Sequence, residues 1–324
     1  MISDVEDYLC TTCGDHFIHA NGMHQVDGSV REEELVCRTC GIHYPVIGGI
    51  PRFVTAENYA DSFGYQWNIH LKTQLDSYTG LSISRNRLFA VSGWSQRLEG
   101  ERILEAGSGA GRFTEVLLQT GADVFSFDYS SAVEANRTNN GEMPNLHLFQ
   151  ANIFDIPLPQ GSFDKVICLG VLQHTPDPER AFKNLSKYVR PGGELVVDVY
   201  KASLGWLQWK YLLRPATKRM NKESIYKLVA LVVPILIPFT TFLRISLGRA
   251  GARLSPIVEY THLGLPPEIN RDWAVLDTFD MYSPAHDHPQ ALKTVKRWFS
   301  EAAFANAVVQ YGPNGIVGRG KKPI

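Results

Sequence analysis

The sequence predicts an α/β fold, in which a doubly wound, mostly parallel sheet follows a small cysteine-rich unit and is interrupted by a helical insertion. Apolar strands alternate with helices from residue 102, two C-x-x-C pairs lie near the N terminus, and the segment 201–290 is unusually apolar and basic. Such alternation indicates a parallel sheet with helices on both faces. With 324 residues, 44% of them hydrophobic, the chain can bury a sizeable core.

The N-terminal unit, residues 1–55, is predicted to be a zinc ribbon. The start "MISDVEDYLC" is acidic and lacks the apolar segment of a signal peptide, so we expect a cytoplasmic location. Paired C-x-x-C motifs outside a secretory context indicate a structural Zn²⁺ site with four thiolates rather than disulfides. The alternative is two pairs of ordinary buried thiols. The predicted metal ligands are Cys10, Cys13, Cys37 and Cys40.

Residues 57–100 are predicted to be helical and rich in aromatic side chains. Phe63, Trp67 and His70 follow one another at i, i+4 and i+7, which places them on one helix face. This face is expected to be core or a lid over a ligand, and Trp67 is a candidate substrate contact.

The stretch "ILEAGSGAGRFTEVLL" joins the first strand of the core to its helix through glycines 107, 109 and 111. It does not fit the dinucleotide fingerprint, because Arg112 stands where the third glycine of G-x-G-x-x-G belongs. Asp128 ends the second strand, 21 residues after Gly107, where a carboxylate can bind ribose hydroxyls. Glu105 adds a second carboxylate that would repel pyrophosphate. The turn therefore favours a cationic adenosine ligand.

"LEAGSGAGRF", "FDYS" and the block from Gly161 to Val197 together resemble class I S-adenosylmethionine-dependent methyltransferases. The resemblance implies a seven-stranded Rossmann-like sheet whose cofactor-binding core spans 56–200 and is completed by a helix and hairpin in 291–324. It places Asp128 at the ribose and Tyr129 at the adenine edge, and Asn152 departs from the usual acid at its position. The implied cofactor-binding residues are Glu105, Gly107, Gly109, Gly111, Asp128, Tyr129, Asn152, Ile153 and Leu169.

The ribbon is similar to the small zinc-ribbon partner subunits that stabilise several RNA and protein methyltransferases. The similarity rests on the cysteine pairs and on the closing "YPVIGGIP". It implies a stabilising or docking role rather than chemistry.

His174, in the "LQHTPDP" loop after the fourth core strand, is the candidate catalytic base. An open α/β sheet places its site at the carboxyl ends of its strands, and transfer to a protonated nucleophile needs a base. The alternative is that His174 only orders the loop before Asp177 caps the next helix.

The stretch "DTFDMYSPAHDHP", Asp277 to Pro289, is predicted to be a polar loop that contacts substrate or solvent. Tyr282 and His286 are its candidate substrate contacts. A second metal site is conceivable, but no pair of histidines at i, i+4 supports it.

The insertion 201–290 is predicted to be a helical lid over the substrate. Between Lys201 and Arg253 it carries ten Lys/Arg residues and one acid, Glu223, a net charge of +9. Its uncharged run Leu228–Leu243 has 16 residues, short of the ~20 that span a bilayer, and Pro234 and Pro238 are expected to break a long helix. Peripheral contact with anionic lipid is a second interpretation. Nucleic acid is disfavoured, since the aromatic residues cluster with leucines.

These features predict a methyltransferase that uses S-adenosylmethionine to modify a small metabolite, sugar or lipid-linked intermediate. A tRNA or protein methyltransferase that docks through the ribbon is one alternative. A scaffold that binds the cofactor without catalysis is the other.

Overall fold

The computed structural model describes residues 5–26, 29–55, 58–202 and 212–324, which form two sheets and their covering helices. The strands are β1 (Phe17–Val26), β2 (Ser29–Cys37), β3 (His43–Ile47), β4 (Ile50–Pro51), β5 (Arg102–Ala106), β6 (Asp123–Asp128), β7 (Leu146–Gln150), β8 (Phe163–Leu169), β9 (Val189–Val199), β10 (Ala305–Gly312) and β11 (Gly315–Lys321). The helices are α1 (Asp61–Ile69), α2 (Asp76–Thr79), α3 (Ile83–Ser92), α4 (Arg112–Leu118), α5 (Val133–Asn140), α6 (Pro178–Tyr188), α7 (Arg214–Thr217), α8 (Lys222–Leu254), α9 (Pro267–Tyr282) and α10 (Leu292–Glu301).

The larger sheet has seven strands in the order β10-β11-β9-β8-β5-β6-β7. Strands β5 to β9 run parallel, while the terminal hairpin β10–β11 joins β9 in antiparallel orientation. The carboxyl-terminal halves of the parallel strands are buried because helices cover both faces of the sheet. The predicted fold class, a mostly parallel, doubly wound α/β sheet, is confirmed.

The N-terminal sheet β1–β4 is antiparallel and docks beside β7, the edge strand of the larger sheet. Arg52 pairs with Gln150 of β7 as an isolated parallel bridge, and the Phe53 N–H donates to the Gln150 carbonyl over 2.9 Å. Tyr8 and Phe53 pack on Phe149 with ring centroids 5.4 and 6.3 Å away. The ribbon therefore covers an edge that would otherwise expose unpaired backbone groups.

The insertion contains one long helix, α8, which packs against α9. Ile225, Val229 and Val233 on one face of α8 meet Ala274 and Phe279 of α9 in a small core of their own. The expectation that the prolines break this helix is wrong, since α8 runs through Pro234 and Pro238 and only Gly248 departs from helical geometry. Packing on α9 compensates for the backbone hydrogen bonds that the prolines remove.

The length argument against a membrane-spanning helix also fails. Within the described residues, Lys222–Gly248 forms one helix of 27 residues that is long and apolar enough to cross a membrane by length and composition. Helical structure extends past both ends of the uncharged 16-residue run, which an estimate from that run alone missed. Only 17% of its most apolar stretch is buried in the protein.

The stretch from Asp277 to Tyr282, expected to be a loop, is the last part of helix α9. Trp273, Leu276 and Phe279 are buried on α9 at helical spacing, and this pattern is invisible when the polar stretch is considered alone. The chain leaves the helix at Ser283, so only 283–289 forms the expected loop.

Candidate active site

A cavity of about 300 Å³ lies where the carboxyl ends of β5, β6, β8 and β9 meet α1 and α9. This is the edge at which an open parallel sheet binds its ligand. Of the predicted site residues, the cavity lining contains Gly107, Gly109, Asp128, Tyr129, Ile153, Leu169, His174 and Trp67.

The glycine turn and Asp128 form one hydrogen-bonded unit at the base of the cavity. The Gly109 N–H donates to Asp128 Oδ2 over 2.9 Å, and the backbone and hydroxyl of Ser130 donate to Oδ1 over 2.8 and 2.7 Å. Gly109 adopts a φ of +54°, and a Cβ there would lie 3.1 Å from the Trp67 ring. Burial raises the pKa of Asp128, and the Ser130 hydrogen bonds oppose that shift. The carboxylate is thus positioned at the cavity with its orientation held by backbone.

Three of the predicted cofactor residues lie next to the cavity but are not among its described lining: Glu105, Gly111 and Asn152. Glu105 Oε2 accepts hydrogen bonds from the Thr114 and Ser126 hydroxyls over 2.6 and 2.7 Å. Gly111 has a φ of +87° before α4, and a Cβ there would overlap two asparagine side chains of α5. Asn152 Oδ1 accepts from the Phe154 N–H over 3.1 Å. In this structure these residues shape the turn and the neighbouring loop.

Aromatic and aliphatic side chains wall the part of the cavity next to Asp128. The rings of Tyr59 and Tyr129 lie 4.9 Å apart, and Ile153 and Leu169 line the same cavity. The Tyr129 carbonyl accepts from Asn58 Nδ2 over 2.9 Å, which fixes the segment that follows β6. These surfaces, with the Asp128 carboxylate beside them, fit an adenosine group.

His174 lies in the described cavity lining with one ring nitrogen bonded and the other free of a described partner. Its Nδ1 is 3.2 Å from the backbone carbonyl of His286, and a carbonyl can only accept, so Nδ1 carries the proton and the neutral ring has its lone pair at Nε2. Nε2 is buried without a hydrogen-bond partner among the described residues. The ring packs between Phe63 and Tyr200, with centroids 5.0 and 5.4 Å away.

The helix cap expected after the His174 loop is present, because Asp177 accepts from the Arg180 N–H over 3.0 Å and Pro178 begins α6. His174 itself makes no part of that helix cap. The cap does not decide between the two interpretations of His174, as a base or as a residue that orders the loop, and both stay predictions.

Another part of the cavity lining consists of charged and polar groups from distant segments. Asp277 accepts from Gln74 Nε2 over 3.1 Å and from the Tyr260 hydroxyl, and the Tyr200 hydroxyl donates to Asp280 Oδ2 over 3.3 Å. Burial raises the pKa of Asp277 to about 6. Arg87 and Arg112 belong to the same cavity lining.

The predictions missed Arg87 and Tyr200 and used Arg112 only as a departure from a motif. Burial lowers the pKa of Arg112 to about 10, so this side chain stays protonated at neutral pH. Arg87 donates to Asp198 of β9 over 2.6 Å. The only sequence signal was indirect, since Tyr200 directly follows the end of β9, where a site residue of this sheet is expected.

Two candidate substrate contacts, Tyr282 and His286, and one member of the aromatic face, His70, lie outside the described cavity lining. Tyr282 is buried in the α8–α9 core and donates to the Pro256 carbonyl over 2.8 Å. The His286 ring lies 5.3 Å from the Tyr59 ring, and its backbone carbonyl, rather than its imidazole, serves His174. His70 packs beside Tyr226, whose hydroxyl lies 2.9 Å from His70 Nε2.

The four N-terminal cysteines converge into one cluster. Their Sγ atoms all lie within 4.8 Å of one another, with Cys10–Cys40 at 3.6 Å and Cys13–Cys37 at 3.3 Å. Tetrahedral thiolates around Zn²⁺ stand about 3.8 Å apart, so the donor set fits this ion. Backbone N–H groups of Cys40 and Thr39 lower the pKa of Cys37 to about 6, while the pKa values of Cys13 and Cys40 are raised, so a bound metal would have to displace thiol protons.

Comparison with known proteins shows where similarity is strongest. Residues 104–197 match the methyltransferase domain family. A ubiquinone biosynthesis O-methyltransferase of Coxiella burnetii is 33% identical over 100 residues, which are 30% of this chain and 43% of that protein. An uncharacterised protein of Synechococcus is 32% identical over 143 residues, which are 42% of this chain and 31% of that protein. The chain thus spans less than half the length of the curated relatives it matches.

Solved structures give more distant similarities. A chain from the complex of the Haloferax volcanii Trm112 methyltransferase activator with its methyltransferase aligns at a TM-score of 0.46 and 12% identity, over 82% of this chain and 99% of that chain. A Methanosarcina mazei S-adenosylmethionine-dependent methyltransferase aligns at 0.43 and 16% identity, over 71% and 95%.

Proposed function

We propose, from the premise that residues 104–197 are an S-adenosylmethionine-dependent methyltransferase domain, that the chain methylates a hydroxyl of a small or lipid-linked acceptor bound beside His174. The observation that carries this proposal is the buried, unpartnered Nε2 lone pair of His174 in the described cavity lining. A base in this position serves a nucleophile that must lose a proton. The similarity to a ubiquinone biosynthesis O-methyltransferase supports an oxygen acceptor.

The cavity residues divide into a cofactor part and an acceptor part. Asp128, Tyr129 and Ile153 would hold the adenosine group, and the glycine turn would let the backbone approach the methionine group closely. When bound, S-adenosylmethionine supplies a methyl group on a positively charged sulfur. The chain contributes position and a proton acceptor.

The chemistry assigned to this chain is the removal of one proton. The hydroxyl proton of the acceptor would move to His174 Nε2 as the acceptor oxygen takes the methyl group that bound S-adenosylmethionine would supply, with S-adenosylhomocysteine as the leaving product. The Nδ1–H bond to the His286 carbonyl keeps the ring oriented during that transfer. Burial raises the pKa of Asp280, while a positive charge on a protonated His174 opposes that shift. Asp280 would therefore stabilise the imidazolium that the transfer creates.

A small acceptor is favoured over a macromolecule by the shape of the site. Helices α1 and α9 cover the cavity, and buried charges in its lining, Arg112 and Asp277 among them, match a compact polar ligand. The ribbon lies against β7 and supplies none of the described cavity lining. We assign the ribbon a stabilising role, with one Zn²⁺ held by its four cysteines.

The test compares His174→Asn with His288→Asn, which alters an exposed histidine whose backbone N–H donates to the Gln173 carbonyl, next to His174. Binding of S-adenosylmethionine is measured by calorimetry, and methyl transfer is measured with labelled cofactor against phenols, sugars and polyisoprenoid-linked hydroxyl compounds. His174→Asn should keep cofactor affinity and lower kcat by about 10²–10⁴, while His288→Asn should retain both. An unchanged kcat in His174→Asn would remove the base assignment. Binding of the cofactor by the wild type without methyl transfer to any acceptor would support the non-catalytic scaffold.

A further inference from the structure

Helix α8 has two apolar faces, and the described residues cover only one of them. Ile225, Val229 and Val233 are buried against α9, with exposed fractions of 5% or less. The opposite side is what we call the exposed face of α8. It consists of Leu228, Leu231, Ile235, Phe239, Phe242 and Ile245, whose exposed fractions run from 49% to 80%.

The exposed face of α8 is a continuous stripe. Its members follow one another every three or four residues, the spacing of one side of an α-helix, over about 26 Å. A helix on the surface of a water-soluble protein normally turns a polar side outward. A contiguous apolar stripe of this length marks a surface that meets another apolar phase.

Basic side chains lie at both ends of this stripe. Lys218, Arg219 and Lys227 are exposed near its N-terminal end, and Arg253 is exposed beyond its C-terminal end. Glu223 is the only acid between Lys201 and Arg253. Apolar residues flanked by basic ones are the pattern of a helix that lies in the interface of an anionic membrane.

We propose that the exposed face of α8 docks the protein on an anionic phospholipid bilayer, with the helix lying in the membrane plane. The orientation follows from the other face, which is part of a protein core. Crossing the bilayer would detach Val229 and Val233 from α9 and break the ion pair of Arg244 with the buried Glu259. Lying flat keeps those contacts and covers the stripe.

A second copy of the chain fits the same face less well. Because both ends of the stripe are basic, pairing two copies of α8 in parallel or antiparallel orientation brings like charges together. An anionic bilayer instead matches both ends at once.

The experiment measures co-sedimentation of the full chain with vesicles of pure phosphatidylcholine and of phosphatidylcholine with phosphatidylglycerol. Leu231→Asp/Ile235→Asp changes the apolar stripe, and Lys218→Glu/Arg219→Glu/Lys227→Glu changes the charge. Met143→Asp/Val308→Asp is the matched control, since it adds two carboxylates at exposed apolar positions on α5–β7 and β10. Circular dichroism and melting curves establish that each variant is folded.

Wild type and control should bind the anionic vesicles, and the apolar variant should bind at least about tenfold more weakly. The charge variant should lose about a hundredfold on anionic vesicles, at about fivefold or more for each residue, and high salt should weaken the wild type in the same way. Absence of wild-type binding, or equal binding by all variants, would overturn the proposal. A dimer detected by light scattering and abolished in Leu231→Asp/Ile235→Asp, in a protein that does not bind vesicles, would also overturn it. So would protein that stays in the membrane fraction after an alkaline carbonate wash, because that result would indicate a spanning helix.

Discussion

Replacing Glu105 with glutamine should flatten the pH dependence of stability, because Glu105 is a buried carboxyl with a strongly shifted pKa. It is 4% exposed, and the Thr114 and Ser126 hydroxyls donate to the same oxygen. Burial raises its pKa from 4.5 to about 7, with those two hydrogen bonds opposing the shift. The folded protein therefore holds a proton that the unfolded chain has already lost.

The magnitude follows from linkage between proton binding and folding. A pKa raised from 4.5 to about 7, at about 1.4 kcal/mol per unit, corresponds to about 3 kcal/mol. The sign follows from the folded state binding the proton more tightly. This stability is fully present below about pH 4.5 and is lost as the pH rises to about 7. A glutamine in the same place is neutral at every pH and has no such loss.

The assay is urea unfolding of wild type, Glu105→Gln and the control Glu142→Gln, which alters an exposed glutamate, at several pH values between about 4.5 and about 7.5. The free energy of unfolding of Glu105→Gln should rise relative to wild type by about 3 kcal/mol across that range, and Glu142→Gln should track wild type. Parallel curves for wild type and Glu105→Gln would refute the buried, proton-holding carboxyl.

Three further outcomes are expected. Elemental analysis should find about one Zn²⁺ per chain, and Cys37→Ser should lower both zinc content and Tm; protein prepared without chelator that holds no zinc would refute the site. In calorimetry with S-adenosylmethionine, Asp128→Ala should lose more affinity than Asn152→Ala, whose neutral contact contributes about 1 kcal/mol, and equal losses would remove the ribose assignment. Arg214 is buried and donates to the Met281 and Pro284 carbonyls over 2.7 and 2.8 Å, so Arg214→Met should cost about 2–4 kcal/mol of stability. The exposed control Lys218→Met should cost about 0.5 kcal/mol or less. Similar losses of stability in both variants would show that the Arg214 hydrogen bonds do not stabilise the fold.

The proposed cofactor side of the cavity was predictable because its residues are close in sequence or end adjacent strands. Gly107 and Gly109 belong to one turn, and Asp128 ends the strand next to β5 in the sheet. Strand alternation alone places these groups at one edge. Even here the packing decided details, since Glu105 is engaged by Thr114 and Ser126 and is not part of the described cavity lining.

The proposed acceptor side was not predictable in the same way. Arg87, Tyr200 and Asp277 come from α3, the end of β9 and α9, and nothing in their spacing relates them. The sequence predicts a loop at Asp277 because the residues around it are polar. The apolar residues that define the buried face of α9 begin earlier in the chain, at Trp273. Such contacts depend on how helices pack on the sheet, which a local pattern does not encode.

The sequence by itself determined the class of the sheet, the cysteine cluster and the glycine turn with its carboxylate. Each of these follows from residue spacing within one or two neighbouring elements, where backbone geometry leaves few alternatives. Only the tertiary structure decided which nitrogen of His174 is available and which face of α8 is left uncovered. The available nitrogen of His174 is set by the His286 carbonyl, which lies 112 residues away in the chain. The uncovered face of α8 is set by the core that α8 forms with α9, the helix that follows it. A side chain's partners are selected by packing, and packing is a property of the whole folded chain.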